Sequence, residues 1–110
     1  MGSLRSALDA MEATREQLHL AEAAYRQAVE ALQRGESIGD TLDIISADMT
    51  RSNLNGALTD LEHSRHRARL AMLAGGIDEG LSVSELGRKM GISRQLASRY
   101  AQEIVDADKG

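Results

Sequence analysis

The chain has 110 residues, 42% hydrophobic and 27% charged, with a formal net charge of −4 and no Pro, Phe, Trp or Cys. That balance excludes a disordered polymer. The missing Cys excludes a disulfide framework and any thiolate zinc site, and the missing Pro leaves nothing to interrupt long helices.

Aromatic residues are limited to Tyr25 and Tyr100, so the core must be built from Leu, Ile, Val, Met and Ala. No apolar run approaches the ~18–20 residues that cross a bilayer, and no N-terminal stretch resembles a signal peptide. A cytoplasmic location is the expectation.

Residues 3–34 read as one helix. Leu4, Met11, Leu18, Tyr25 and Leu32 recur every seven residues, with Leu8 and Val29 four after Leu4 and Tyr25. That is an apolar seam with heptad spacing, interrupted by Arg15 and Glu22. Ala7, Ala21 and Ala28 form an adjoining small row that favours close packing of a second helix. Gly35 is a natural helix stop, and Ser37 followed by Asp40 resembles a capped restart.

A second helix then carries Leu42, Ile45 and Met49 on one face and runs toward Leu73. Ser52–Gly56 is its weak stretch, because Asn and Gly are poor helix formers, and a bend or break is expected there. Gly75 and Gly76 are expected to end this helix, with a loop over Ile77–Gly80. Two short helices follow, over 83–90 and 94–107. No period-two alternation of β-branched residues appears, so the fold class is all-α. The expected architecture is a long, coiled-coil-like N-terminal helical hairpin over 1–60. A three-helix region without a β-wing follows over 61–110.

Charge is unevenly placed. Residues 1–60 hold five Arg against ten Asp and Glu, a net of −5. Between His63 and Arg99, seven basic residues oppose Asp78, Glu79 and Glu85, a net of +4. Displacing counterions from phosphate is a local requirement, so the acidic first half does not exclude a polyanionic partner for the second.

Residues 80–104 read GLSVSELGRKMGISRQLASRYAQEI. Ser82 and Glu85 have capping-box spacing. Leu86 and Met90 lie on the inner face of the first helix, Gly91 falls at the turn, Ile92 packs after it, and Ser93 caps the next helix. Leu96, Ala97 and Tyr100 point inward, while Gly87 and Ala97 are small where the two helices cross. The outer face shows Arg94, Gln95, Ser98, Arg99 and Gln102.

Leu86, Gly87, Met90, Gly91, Ile92, Ser93, Ala97 and Tyr100 resemble the bacterial helix-turn-helix pattern found in repressors, site-specific recombinases and transposases. The resemblance covers residues 65–107. Two positions depart from it: Gly87 is more often Ala, and Ala97 more often Ile or Val. No family is recognised for residues 1–60. The resemblance implies sequence-specific binding of double-stranded DNA and a nucleoid-associated protein.

Arg bridges two guanine acceptors and Gln pairs with adenine, and the first turns of a recognition helix face the base edges. Arg94, Gln95, Ser98 and Arg99 are therefore the candidate base readers. Ser82, Ser84, Arg88, Lys89 and Ser93, with Arg65, Arg67 and Arg69 of the HSRHRAR run, are the candidate phosphate contacts. A homodimer joined through Leu4, Leu8, Met11, Leu18, Tyr25, Val29 and Leu32 would set two half-sites roughly 34–36 Å apart. The same seam packing only within its chain, or recruiting a different protein, are the alternatives.

Neither a cofactor nor a metal is expected. His63 and His66 share a helix face, but the sequence offers no converging third ligand. No nucleophile triad, phosphate loop or paired carboxylates mark an enzyme. The leading expectation is a small transcriptional repressor binding an inverted repeat. The alternatives are a helical adaptor whose three-helix end docks a protein, and a DNA-docking accessory of a recombination, partition or packaging machine.

Overall fold

The computed structural model describes residues 2–109, which fold as five α-helices with no strand among them. The helices are α1 (Gly2–Gln33), α2 (Ile38–Ile44), α3 (Ala47–Asp78), α4 (Val83–Met90) and α5 (Arg94–Lys109). The chain divides after Ser64 into two compact units.

In the first unit α1 pairs with the early turns of α3. What α1 buries is its small-residue row: Ala7, Thr14, Ala21 and Ala31 are buried, with Ser3, Ala10, Gln17, Ala24 and Ala28 half-buried between them. These positions alternate in steps of four and three, the spacing of a helix seam. The facing row on α3 has the same rhythm: Ala47, Thr50, Leu54, Ala57 and Leu61 are half-buried and Ser64 is buried. The Thr14 hydroxyl donates to the carbonyl of Ala10 at 2.7 Å, and the carbonyl of Ala57 lies 3.4 Å from the same oxygen. With Thr14 opposite Ala57, antiparallel register sets Ala7 opposite Ser64 and Ala21 opposite Thr50. Small side chains permit that approach of one backbone to another.

The turn between α1 and α3 follows local chemistry. Gly35 adopts φ 89°, and the Glu36 amide closes on the carbonyl of Ala31 at 3.0 Å. Ser37 caps α2 by accepting from the Asp40 amide at 3.0 Å, as its spacing predicts. α2 packs on α1. It ends at Ile45, and Ser46 takes φ 49° before α3 begins.

Two sequence expectations are corrected here. The break falls at Ile45–Ser46, not at Ser52–Gly56, which stays helical within α3. Leu54 and Ala57 sit in the seam with α1, and that packing outweighs the weak helix propensity of Asn53, Asn55 and Gly56. Nor do Gly75 and Gly76 end α3. The helix runs to Asp78 and closes at Gly80, φ 96°, whose neighbour Leu81 donates to the Gly76 carbonyl at 3.0 Å.

Gly76 has a packing reason to stay helical. A Cβ there would stand 2.3 Å from Cδ2 of Leu86, so the bare backbone is what lets α4 approach. In the second unit this contact joins the last turns of α3 to α4, and α4 packs on α5. Leu73 is fully buried, with Ala68, Leu86, Gly87 and Ala97 buried around the same three-helix core.

Candidate nucleic-acid interface

The second unit holds α4 and α5 at a tight turn. Ser82 and Glu85 form the reciprocal cap that their spacing predicts: the Glu85 amide donates to Ser82 Oγ at 3.1 Å, and the Ser82 amide donates to the Glu85 carboxylate at 3.4 Å. Gly91 ends α4 in the left-handed conformation, φ 74°, and the Ile92 amide closes on the carbonyl of Gly87 at 3.0 Å. Ser93 then caps α5 by accepting from the Leu96 amide at 3.1 Å. At the crossing, a Cβ on Gly87 would stand 3.0 Å from that of Ala97. Gly87 and Ala97 thus sit back to back.

This packing turns Leu86, Gly87 and Ala97 inward, with Val83, Met90, Ile92, Leu96, Tyr100 and Ile104 half-buried. It leaves Arg94, Gln95, Ser98, Arg99 and Gln102 exposed along α5. Ser84, Arg88 and Lys89 are exposed on α4, the last two in its final turn. The first turn of α5 contains no acidic residue, so the positive end of its backbone dipole is not offset by a carboxylate there. Acidic side chains enter α5 only later. Glu103 is engaged by His66, and Gln102 donates to Asp106 at 3.0 Å.

The predicted residues fall into three groups. Arg94, Gln95, Ser98 and Arg99 project from the first two turns of one helix, with Arg88 and Lys89 on the helix before it. Ser82 and Ser93 use their hydroxyls as caps. Arg65 and Arg67 are exposed on α3, whereas Arg69 is half-buried.

Arg69 belongs to a cluster that sequence reasoning missed. Its guanidinium carbon lies 5.3 Å from the centre of the Tyr100 ring, and its Nη2 donates to His66 Nδ1 at 3.2 Å. The other ring nitrogen of His66 meets the Glu103 carboxylate at 2.8 Å, and the imidazole stands edge-on to Tyr100 at 5.1 Å. With Arg69 donating to Nδ1, the proton of a neutral imidazole sits on Nε2 and is donated to Glu103. The chain Arg69–His66–Glu103 ties α3 to α5 beside Tyr100. Its members lie up to 37 residues apart in sequence, and no local spacing signals it.

In the first unit, the large apolar seam of α1 stays outside. Leu4, Leu8, Met11, Leu18, Tyr25, Val29 and Leu32 range from 41% to 68% exposed. α2 likewise exposes Ile38, Leu42 and Ile44. Among the described residues, no group of His, Asp and Glu is placed to hold a metal ion, and no helix is long and apolar enough to cross a membrane. No family model matches this chain, and no curated protein or solved structure matches it.

Proposed function

We propose that this chain is a sequence-specific double-stranded DNA-binding protein of the helix-turn-helix kind, acting as a homodimeric transcriptional repressor. One observation carries the reading. The packed side of α4–turn–α5 is built from Leu86, Gly87 and Ala97, and its open side presents Arg94, Gln95, Ser98 and Arg99 together. A protein-docking face of that size would be expected to show apolar anchors, whereas this one is basic and polar.

In this reading the first turns of α5 enter the major groove. Arg94 and Arg99 address guanine N7 and O6, and Gln95 addresses adenine. Arg88 and Lys89, at the end of α4, neutralise phosphates flanking the groove, and exposed Arg65 and Arg67 extend that contact along the backbone. Arg69 supports the unit from within through His66 and Tyr100. The acidic first unit joins two copies, and a dimer reads two half-sites.

Binding to genomic fragments at two salt concentrations, with competitor DNA and sequencing of what is retained, tests this. A recurring inverted repeat, with affinity falling steeply as salt rises, is expected. No retention at either salt overturns it in favour of a protein partner for the three-helix end. Retained sites at recombination or partition loci rather than promoters would replace the repressor role while keeping the DNA-reading one.

A further inference from the structure

α1 carries two seams and the chain uses only one. The small-residue row packs against α3, which leaves the apolar members of the second seam, from Leu4 to Leu32 in steps of four and three, 41% to 68% exposed. Its only charged members are Arg15 and Glu22, and they stand on either side of Leu18.

We propose that this seam pairs with the same seam of a second copy, antiparallel, about a two-fold axis passing between Leu18 and His19. The charge pattern selects the occupant and the direction. In a parallel pair each heptad position faces its own twin, so Arg15 would stack on Arg15 and Glu22 on Glu22. Turning one copy round sets Arg15 against the partner's Glu22, and does so twice by symmetry.

The flanking row makes the same choice. Glu12 and Arg26 centre on His19, within one residue of that axis, so the same turn brings Glu12 beside the partner's Arg26. Apolar members also match: Met11 meets the partner's Tyr25, and Leu4 meets the partner's Leu32. A seam complementary to its own reverse fits a second copy better than an unrelated helix. Arg26 already reaches Glu22 within the chain at 3.3 Å, so pairing extends this exposed contact into a row of alternating charge.

This arrangement deepens the dimeric reading given above.

The chain has no cysteine, so single-cysteine variants report unambiguously. Sedimentation of the full chain at micromolar concentration should give a dimer. Under oxidation, a mixture of Met11→Cys and Tyr25→Cys chains, one carrying a mass tag, should cross-link to each other, and Met11→Cys alone should not. Arg15→Glu and Glu22→Arg should each raise the dimer dissociation constant roughly tenfold or more, because like charges then face across the seam. Mixing the two variants should restore pairing.

A monomer in sedimentation, or Met11→Cys cross-linking to itself, would overturn the proposal. None of these measurements involves DNA. Arg94→Ala should leave all of them unchanged, so failure of the DNA-binding reading is distinguished from failure of this one.

Discussion

The two units achieve close helix packing by the same device and then present opposite exteriors. In the first, a row of Ala and Thr lets α1 lie against α3; in the second, Gly76 admits Leu86 and Gly87 admits Ala97. The second seam of α1 then leaves Leu, Met, Tyr and Val side chains outside, and the end of α4 with the first turns of α5 leaves Arg, Lys, Gln and Ser outside. An apolar exterior in heptad register is suited to another helix, and a basic, hydrogen-bonding exterior to a charged groove. The difference teaches that small residues decide how the helices of this chain meet, while large residues decide what else they meet.

The comparison breaks most severely at Leu73, the largest fully buried side chain among the described residues. Leu73→Ala is expected to cost about 2–5 kcal/mol, from lost burial and the cavity left behind. Amide exchange should show the loss in α4 and α5, with α1 protected as before. Equal loss of protection in both units would show that they unfold as one.

Gly76 tests the same core from the opposite direction. Gly76→Ala places a Cβ 2.3 Å from Cδ2 of Leu86 and 3.2 Å from its Cγ, so the whole buried isobutyl group must move. Overpacking of this kind costs about 1–3 kcal/mol, against which the helix propensity of Ala returns up to about 1. A net loss is expected in denaturant titration. A gain would show that α4 slides readily along α3, and the close approach would then not be a constraint.

That glycine pair also marks where the sequence is hard to read. Gly75-Gly76 carries the local mark of a helix end, and only the position of Leu86, ten residues on, shows why the helix continues. Ser46 has the reverse problem: nothing in Ile-Ile-Ser-Ala-Asp marks a turn, yet the chain reverses hand there. By contrast Gly35, Ser37, Ser82 with Glu85, Gly91 and Ser93 are legible, because a cap needs only residues within four of itself. The all-α class is legible for the same reason, since helical period is a local property. The candidate site divides likewise. The exposed row from Arg94 to Arg99 follows from the phase of one helix, whereas the Arg69–His66–Glu103 chain requires knowing that α3 meets α5.

Arg94→Ala and Arg99→Ala sharpen the comparison from the functional side. Each is expected to weaken binding to a selected site by about 1–3 kcal/mol if it reads a base, with thermal unfolding unchanged because both side chains are exposed. Arg88→Ala should instead weaken selected and random duplexes alike and flatten the salt dependence, the mark of a phosphate contact. Both arginines of α5 behaving like Arg88 would leave a basic surface that holds DNA without reading it.

The smallest effect is expected at Ser46, and it carries the opposite sign. At φ 49° a side chain with a Cβ crowds the following carbonyl, and Gly takes this conformation at little cost. Ser46→Gly should therefore stabilise the first unit, by about 1 kcal/mol at most. Ser46 still supplies the carbonyl that accepts from the Thr50 amide at 3.0 Å, a backbone bond that Gly keeps. Because the reversal joins α2 to α3, the gain should appear as slower amide exchange over 41–50 and leave α4 and α5 untouched. Destabilisation instead would mean that the greater freedom Gly gives the unfolded chain outweighs the relief of strain. The turn would then be held by the packing of Thr41, Ile45 and Thr50 around it rather than by its own dihedral preference.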